Sequence, residues 1–501
     1  MGFIKKDAFR TMLLSYSGIV LGYVNKGVLF IIFLTTEQIG LINLVVSVGT
    51  LFAQIANLGS VYSMWKFFPF FKNKELKNHG FLAYILVYVT LGILITSVLT
   101  LVFRNDIGLL YHDRSPLFLQ YFNWIFPIGI AYVFYLVLEV YLRSFYKNII
   151  SVVAYEIILR LLTMLMLLVF WIKWIDFSSF VICHSFLFFV PTLILVWYLN
   201  RMKEFNLSIS KIRISKKFKR VIFQFSMYNY INTLGSVIVN SLDVLMIASI
   251  VGLKSTGVYA TVMFLVSAIQ VPYKSLLRIS TPLVAEYWKS KELDKMSDLY
   301  KKVSSFALVI GLGSFVFLWL NIDFLFSFLK PEYKEGIWIF FFLMLGKLLD
   351  MFFGLNGAIF TTSKKYKYDL LFTLFLIGCV FSLNMIFIPK WGGVGAAIST
   401  SIALIIYNLG RVFLIWKMYK IHPFTKNQFV IIGLGFLAIF IGGFVDVMIF
   451  GSWAHLGVQC LVFFGVFVFP IYHFNLQPEI VGYIKDGVYF LSKSLKKNVN
   501  R

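Results

Sequence analysis

The chain has 501 residues, of which 60% are hydrophobic and 14% charged, with a formal net charge of +24. A soluble domain is nearer a quarter charged, so the composition excludes an ordinary soluble enzyme. The apolar runs exceed the roughly 18–20 residues a helix needs to cross a bilayer, and they lack the period-2 alternation of a membrane barrel.

In chain order the sequence predicts an all-α polytopic membrane protein of fourteen helices. They cover 11–34, 38–64, 79–103, 116–140, 149–172, 177–200, 221–250, 257–284, 303–329, 335–361, 367–388, 393–416, 427–449 and 453–474. The first run is long, carries Lys26 and continues into another span, unlike a cleaved signal peptide. Cys183, Cys379 and Cys460 lie singly in apolar runs, without disulfide or metal spacing, and are expected to pack.

The chain is written twice. A shift of 217 residues puts Gly40 on Gly257, and Lys72, Lys74, Glu75 and Leu76 on Lys289, Lys291, Glu292 and Leu293. It also puts Asp106 on Asp323, Gly129 on Gly346, and Lys173-Trp174 on Lys390-Trp391. The expected divisions are a six-helix lobe with a basic linker over 1–215, its repeat over 216–422, and two extra helices with a basic tail over 423–501. An even number of spans per half makes the halves parallel repeats about an axis along the membrane normal, an arrangement common in transporters.

Orientation follows from Lys and Arg. Segments on the side of the N-terminus carry 33, and those on the opposite side 7. This bias places both termini in the cytoplasm. The basic excess is then a topology signal and a face for anionic membrane lipids rather than a nucleic-acid surface. The richest stretch, 201–220, reads as a solvated linker or as a helix lying along the inner leaflet.

Apart from Lys367 at a helix start, six basic residues fall inside helices: Lys26, Arg160, Lys274, Arg278, Lys347 and Arg411. Charge at that depth needs a partner or water. Glu156 and Arg160 are spaced i,i+4, and Lys347 and Asp350 i,i+3, so each pair can neutralise itself. Lys26, Lys274, Arg278 and Arg411 have no such local partner, although Arg278 and Arg411 can reach towards the cytoplasm. Asp243 is the unpaired acid at depth, read either as a site for a coupling ion or as the partner of Lys26. Polar residues fall on single faces in three- and four-residue steps. The first helix has Ser15, Gly18, Gly22 and Asn25; the second has Asn43, Ser47, Thr50, Gln54 and Asn57; the seventh has Asn229, Asn232, Ser236, Asn240 and Asp243; the eighth has Ser267, Gln270 and Lys274. Such stripes either bond helix to helix or line a shared polar cavity.

The stretch DVLMIASIVGLKSTGVYATVMFLVSAIQVPYKSLLRISTPLVAE, from Asp243 to Glu286, resembles the polysaccharide transporters of the multidrug/oligosaccharidyl-lipid/polysaccharide (MOP) superfamily, the O-antigen flippase type called Wzx. The earlier EQIGLINLVVSVGTLFAQIANLG resembles the matching part of the first half. The resemblance covers nearly the whole chain. It implies two six-helix lobes plus two extra helices, with helices one, two, seven and eight lining a central cavity. It implies a bacterial inner-membrane flippase for lipopolysaccharide or another surface polysaccharide, moving a polyprenyl-pyrophosphate-linked oligosaccharide by alternating access beside the glycan polymerase machinery. Lys26, Lys274 and Arg278 would receive the pyrophosphate, with Asn25, Gln54, Asn57, Asn240 and Gln270 facing the substrate. No cofactor is implied beyond a coupling ion, H+ or Na+. Two other readings stay open. A cation-coupled drug exporter of the same superfamily would use acids such as Asp243. A membrane glycan polymerase or ligase would need a large outer loop, whereas the segment holding His112 is short. There is no P-loop.

Overall fold

The computed structural model describes residues 14–482, apart from 74–76, 146, 208–214, 366 and 449–451. Every regular element among the described residues is helical. We number the spans α1 (Leu14–Phe33), α2 (Thr36–Ala56, continued by Ser60–Phe71), α3 (Phe81–Val102), α4 (Pro116–Arg143), α5 (Asn148–Trp171), α6 (Phe177–Arg201) and α7 (Lys216–Ile250). Then come α8 (Leu253–Ser267 and Gln270–Ser290), α9 (Leu293–Leu320) and α10 (Pro331–Phe352 and Leu355–Thr362). A continuous run, Lys367–Tyr419, follows, and the chain ends in α13 (Lys426–Met448) and α14 (Trp453–His473).

The run Lys367–Tyr419 is 53 residues long, about 80 Å of helix, too long for one crossing of a hydrocarbon layer about 30 Å thick. It reverses at Gly392, whose φ of 55 and ψ of -131 are non-helical, just after Pro389. A Cβ on Gly395 would lie 2.1 Å from the Phe387 carbonyl oxygen, so the two arms touch immediately beyond the turn. They are α11 (367–391) and α12 (393–419), which brings the candidate spans among the described residues to fourteen. The chain is a multi-pass membrane protein.

Local chemistry sets several boundaries. Thr35 and Gln38 form a reciprocal capping box at the start of α2, satisfying backbone donors that a helix start leaves open. Asp176 accepts from Ser179 N at 3.0 Å at the head of α6. Pro116 and Pro331 open α4 and α10, where proline's missing N–H costs nothing. The repeat is visible in the short helices Arg104–Tyr111 and Ile322–Ser327, each with an aspartate of the equivalent pair Asp106 and Asp323 in its first turn.

Three spans expected to be continuous are broken. In α2 the chain turns at Leu58 (φ 46) and Gly59 (φ 77), and Asn57 stabilises the turn by accepting from Gly59 N at 2.7 Å. α8 breaks at 268–269 with a bend of 50°. α10 breaks at 353–354, where the Tyr273 hydroxyl occupies the space a Cβ on Gly354 would need.

Contacts divide the molecule into two compact units, one of residues 1–264 with 380–396, the other of 265–379 with 397–501. The expected division near residue 216 follows the repeat; the packing division instead falls inside α8, because α7 and the first turns of α8 pack on α2. The first unit's core gathers Phe68, Phe81, Val89, Leu138 and Tyr141 from α2, α3 and α4. The second gathers Tyr300, Val303, Leu355, Ile359 and Phe360. There α13 rests on α9, with Gly435 against Leu312 and Gln428 Nε2 donating to Ser305 Oγ at 2.8 Å. Phe467 of α14 meets Gly313 of α9.

Candidate functional site

In the first unit, α1 and α5 are joined by polar groups rather than by shape alone. Arg160 donates through Nη1 to the Gly18 carbonyl and through Nη2 to Glu156. Asn25 Nδ2 donates to the Arg160 carbonyl at 2.7 Å. Gly18 is required at this approach, and Gly22 leaves the space that the guanidinium fills. A Cβ on Gly22 would lie 2.2 Å from Arg160 Nη1, and one on Gly18 2.6 Å from Glu156 Cβ. Each helix carries a widened π-helical turn where it meets the other, Val24–Leu29 in α1 and Val153–Ile158 in α5. Such turns recur at functional positions because they re-aim side chains. The predicted Glu156–Arg160 pair therefore forms, and it also fastens α1.

The π turn of α1 carries Lys26, which is half-buried. Its Nζ donates to Asn43 Oδ1 of α2 at 3.3 Å and lies 5.7 Å from the centre of the Phe264 ring of α8. Tyr23 donates to the Phe264 carbonyl at 3.2 Å. Among the described residues, Lys26 thus meets an amide oxygen and an aromatic face rather than a carboxylate.

Asp243 is buried. It accepts from Tyr259 Oη at 2.5 Å and from Asn384 Nδ2 of α11 at 2.8 Å. Both of these donors are neutral, one from α8 and one from α11. Asn384 Oδ1 is buried with no donor among the described residues, so an acceptor oxygen is left over beside the carboxylate.

Of the α2 and α7 stripes, Gln54 is only 7% exposed and Asn57 1%. Asn57 is a turn residue, with Nδ2 bonded to the Gln54 carbonyl at 3.0 Å. Asn240 is exposed and returns Nδ2 to Ser236 O at 2.8 Å. The side chains of Asn229 and Asn232, and part of 201–220, lie outside the described residues. α2 also meets α7: Ser63 bonds Ser226, Tyr62 bonds Thr233, and Tyr230 Oη donates to Ile55 O at 3.1 Å.

In the second unit, Lys274 and Arg278 are exposed, whereas Gln270 is buried. Arg411 does not reach for the cytoplasm: it is 6% exposed and ion-paired with Asp369 of α11. Its Nη1 lies 3.5 Å from Asn356 Oδ1, Asn356 Nδ2 donates to Asn408 Oδ1 at 2.9 Å, and Asn408 Nδ2 donates to Asp350 Oδ1 at 3.0 Å. Asp350 thus takes Asn408 as its partner, and among the described residues it forms no ion pair with Lys347. Sequence reasoning missed Phe264, Tyr259, Asn384, Asn356, Asn408 and Asp369. Asp369 had a signal, an acid in the first turn of a predicted helix; the others looked like ordinary polar or aromatic residues in apolar runs.

No family model matches the chain. It is 26% identical over 335 residues to an uncharacterized membrane protein of Methanocaldococcus jannaschii, covering 64% of this chain and 63% of that protein. It is 23% identical over 208 residues to the capsular polysaccharide biosynthesis protein CapF of Staphylococcus aureus, covering 41% of this chain and 52% of CapF. The matches therefore span less than two thirds of either relative. Solved structures match along more of the chain. The lipid II flippase MurJ in an inward closed conformation superposes with a TM-score of 0.67 at 17% identity, over 92% of this chain and 97% of MurJ. An inward-facing multidrug resistance MATE family transporter of the MOP superfamily superposes with a TM-score of 0.65 at 13% identity, over 80% of this chain and 94% of that one. The fold is of the MurJ and MATE type. These neighbours are transporters and flippases rather than enzymes.

Proposed function

We propose that the chain is a MOP-type flippase that moves a polyprenyl-pyrophosphate-linked oligosaccharide across the bacterial inner membrane by alternating access, with both termini cytoplasmic. The observation that carries this reading is Lys26. A cation within a span, faced by an amide oxygen and a ring, is costly without an anion, and a pyrophosphate supplies one. Lys274 and Arg278, both exposed, are further cations suited to an anionic group, Lys as a point charge and Arg as a planar fork. The likeness to a capsular polysaccharide biosynthesis protein and, in fold, to a lipid II flippase supports this class of cargo. The product would feed surface polysaccharide assembly, O-antigen or capsule, alongside a glycan polymerase.

Asp243, with Tyr259 and Asn384, is the proposed position for a coupling ion, H+ or Na+. Its carboxylate is buried with Tyr259 and Asn384 as donors, and the buried Asn384 Oδ1 beside it is a second oxygen that can face a cation. The same residue supports the second reading, a cation-coupled exporter of small molecules, as does the likeness to the MATE fold.

The test separates the two readings. Lys26, Lys274 and Arg278 are each replaced by Gln, membrane expression is confirmed, and surface glycan is measured in a strain lacking the native gene. The flippase reading expects lipid-linked glycan to accumulate on the inner leaflet, most severely with Lys26→Gln. Normal surface glycan in the triple variant refutes it.

A further inference from the structure

Gly40 of α2 and Gly257 of α8 occupy equivalent positions in the repeat, 217 residues apart, and the structure brings them face to face. A Cβ on Gly40 would lie 1.9 Å from the Leu253 carbonyl oxygen and 3.0 Å from Gly257 N. A Cβ on Gly257 would lie 1.9 Å from the Thr36 carbonyl oxygen and 3.0 Å from Gly40 N. Thr36 and Leu253 are themselves one repeat apart. The crossing is thus two-fold symmetric down to the distances, and each glycine takes the other helix's carbonyl one turn earlier. No other residue type fits at either position.

Three features give this crossing a role beyond packing. It joins the first repeat to the second at the head of α2, the end away from the N-terminus. At its other end α2 meets α7 through hydroxyls, Ser63 with Ser226 and Tyr62 with Thr233. From Gly40 to Gly59 is 19 residues, about 28 Å of helix, close to the hydrocarbon thickness. One helix therefore touches the second repeat at both faces of the membrane, by different chemistry at each. Finally, α8 carries its own joint at 268–269, about three turns below Gly257.

We infer that the Gly40–Gly257 crossing is a reversible seal on the outer end of the translocation path, closed backbone to backbone, and that α8 releases it by flexing at 268–269. This rests on the alternating-access reading above. Glycine faces suit such a seal. They let two backbones approach until no water passes between them, and the contacts that form are weak Cα–H···O bonds. Opening then strips no buried ion of its partner. An ion pair or an interlocked aromatic at this place would close as tightly and open far less readily.

The test needs no substrate. In a chain with Cys183, Cys379 and Cys460 replaced by serine, Ser47→Cys serves as reporter. It lies about two turns inward of Gly40 on the same helix. A membrane-impermeant thiol reagent is applied to intact cells and, separately, to inverted vesicles, with Gly40→Ala, Gly257→Ala or both. Each single alanine should raise labelling from the outer face about tenfold, the order an overpacked contact produces. The double variant should label no faster than the faster single, since one methyl already props the crossing. Unchanged outer labelling in both single variants overturns the inference. Should the alanine variants fail to fold, spin labels at Glu37→Cys and Lys254→Cys, exposed equivalents flanking the crossing, report on the native glycines. Two distances that exchange population with pH or Na+ support the seal, and one fixed short distance overturns it. The outcomes are independent of the glycan assay. A crossing that opens as expected while the triple Gln variant still makes surface glycan refutes the substrate and leaves the seal.

Discussion

Arg411→Met tests how far one buried ion pair holds the second unit together. The native guanidinium donates to Asp369, reaches Asn356, and lies 4.2 Å from the centre of the Tyr407 ring, while both charged residues are 6% exposed. Methionine fills a similar volume but leaves the Asp369 carboxylate buried with its cation gone. Breaking a buried pair from one side costs about 3–5 kcal/mol, because the remaining charge keeps its desolvation penalty. The lost guanidinium–ring contact adds about 1 kcal/mol. Removing both charges, as in Asp369→Leu with Arg411→Met, restores most of this, since a buried pair replaced by apolar groups is often neutral. The assay is the unfolding midpoint of detergent-solubilised protein, followed by fluorescence-detected size exclusion. At about 2–4 °C per kcal/mol for a unit of this size, Arg411→Met should lower the midpoint by on the order of ten degrees. The double variant should recover at least half of that. A double variant as unstable as the single would show that the pair contributes shape rather than compensated charge, and would refute the reasoning.

Gly18→Ala forces a methyl into Glu156 Cβ and the Glu156 carbonyl and should cost about 1–3 kcal/mol of stability, read as a lowered midpoint in the same assay; a neutral result would mean that α1 is not fastened there. Asp243→Asn should abolish ion-coupled transport while leaving the fold nearly intact, because Tyr259 can still donate to the amide oxygen. Adding Lys26→Gln should not rescue it, and full transport by the double variant with an unchanged pH dependence would remove Asp243 from the mechanism. Reporter fusions in 201–220 and after α14 should both read cytoplasmic; an external signal from either contradicts the charge bias.

What was legible in the sequence was whatever depends on neighbours in the chain. Hydropathy located the spans, and i,i+4 spacing identified Glu156–Arg160. The turn at Gly392 fell where the gap between two predicted helices lay. What was not legible depends on which helices touch. Arg411 and Asp369 are 42 residues apart, and no periodic rule pairs them; only the hairpin of α11 and α12 does. Asn57 shows the opposite error. Its spacing put it on a polar stripe, yet its oxygen is spent on Gly59 N, closing a local turn, and the Asn-Leu-Gly signal for that turn lay in plain view.

The repeat links the two kinds of information. A matching glycine in each half has no local purpose in a helix, where it weakens the structure relative to alanine. Its retention at both positions makes sense only if each serves a contact with the other half. In the structure the two glycines meet each other, and each sits over the carbonyl of the other's repeat-equivalent neighbour. An internal repeat therefore encodes more than a duplicated fold. Where both copies keep a locally unfavourable residue, the pair marks the place where the copies touch.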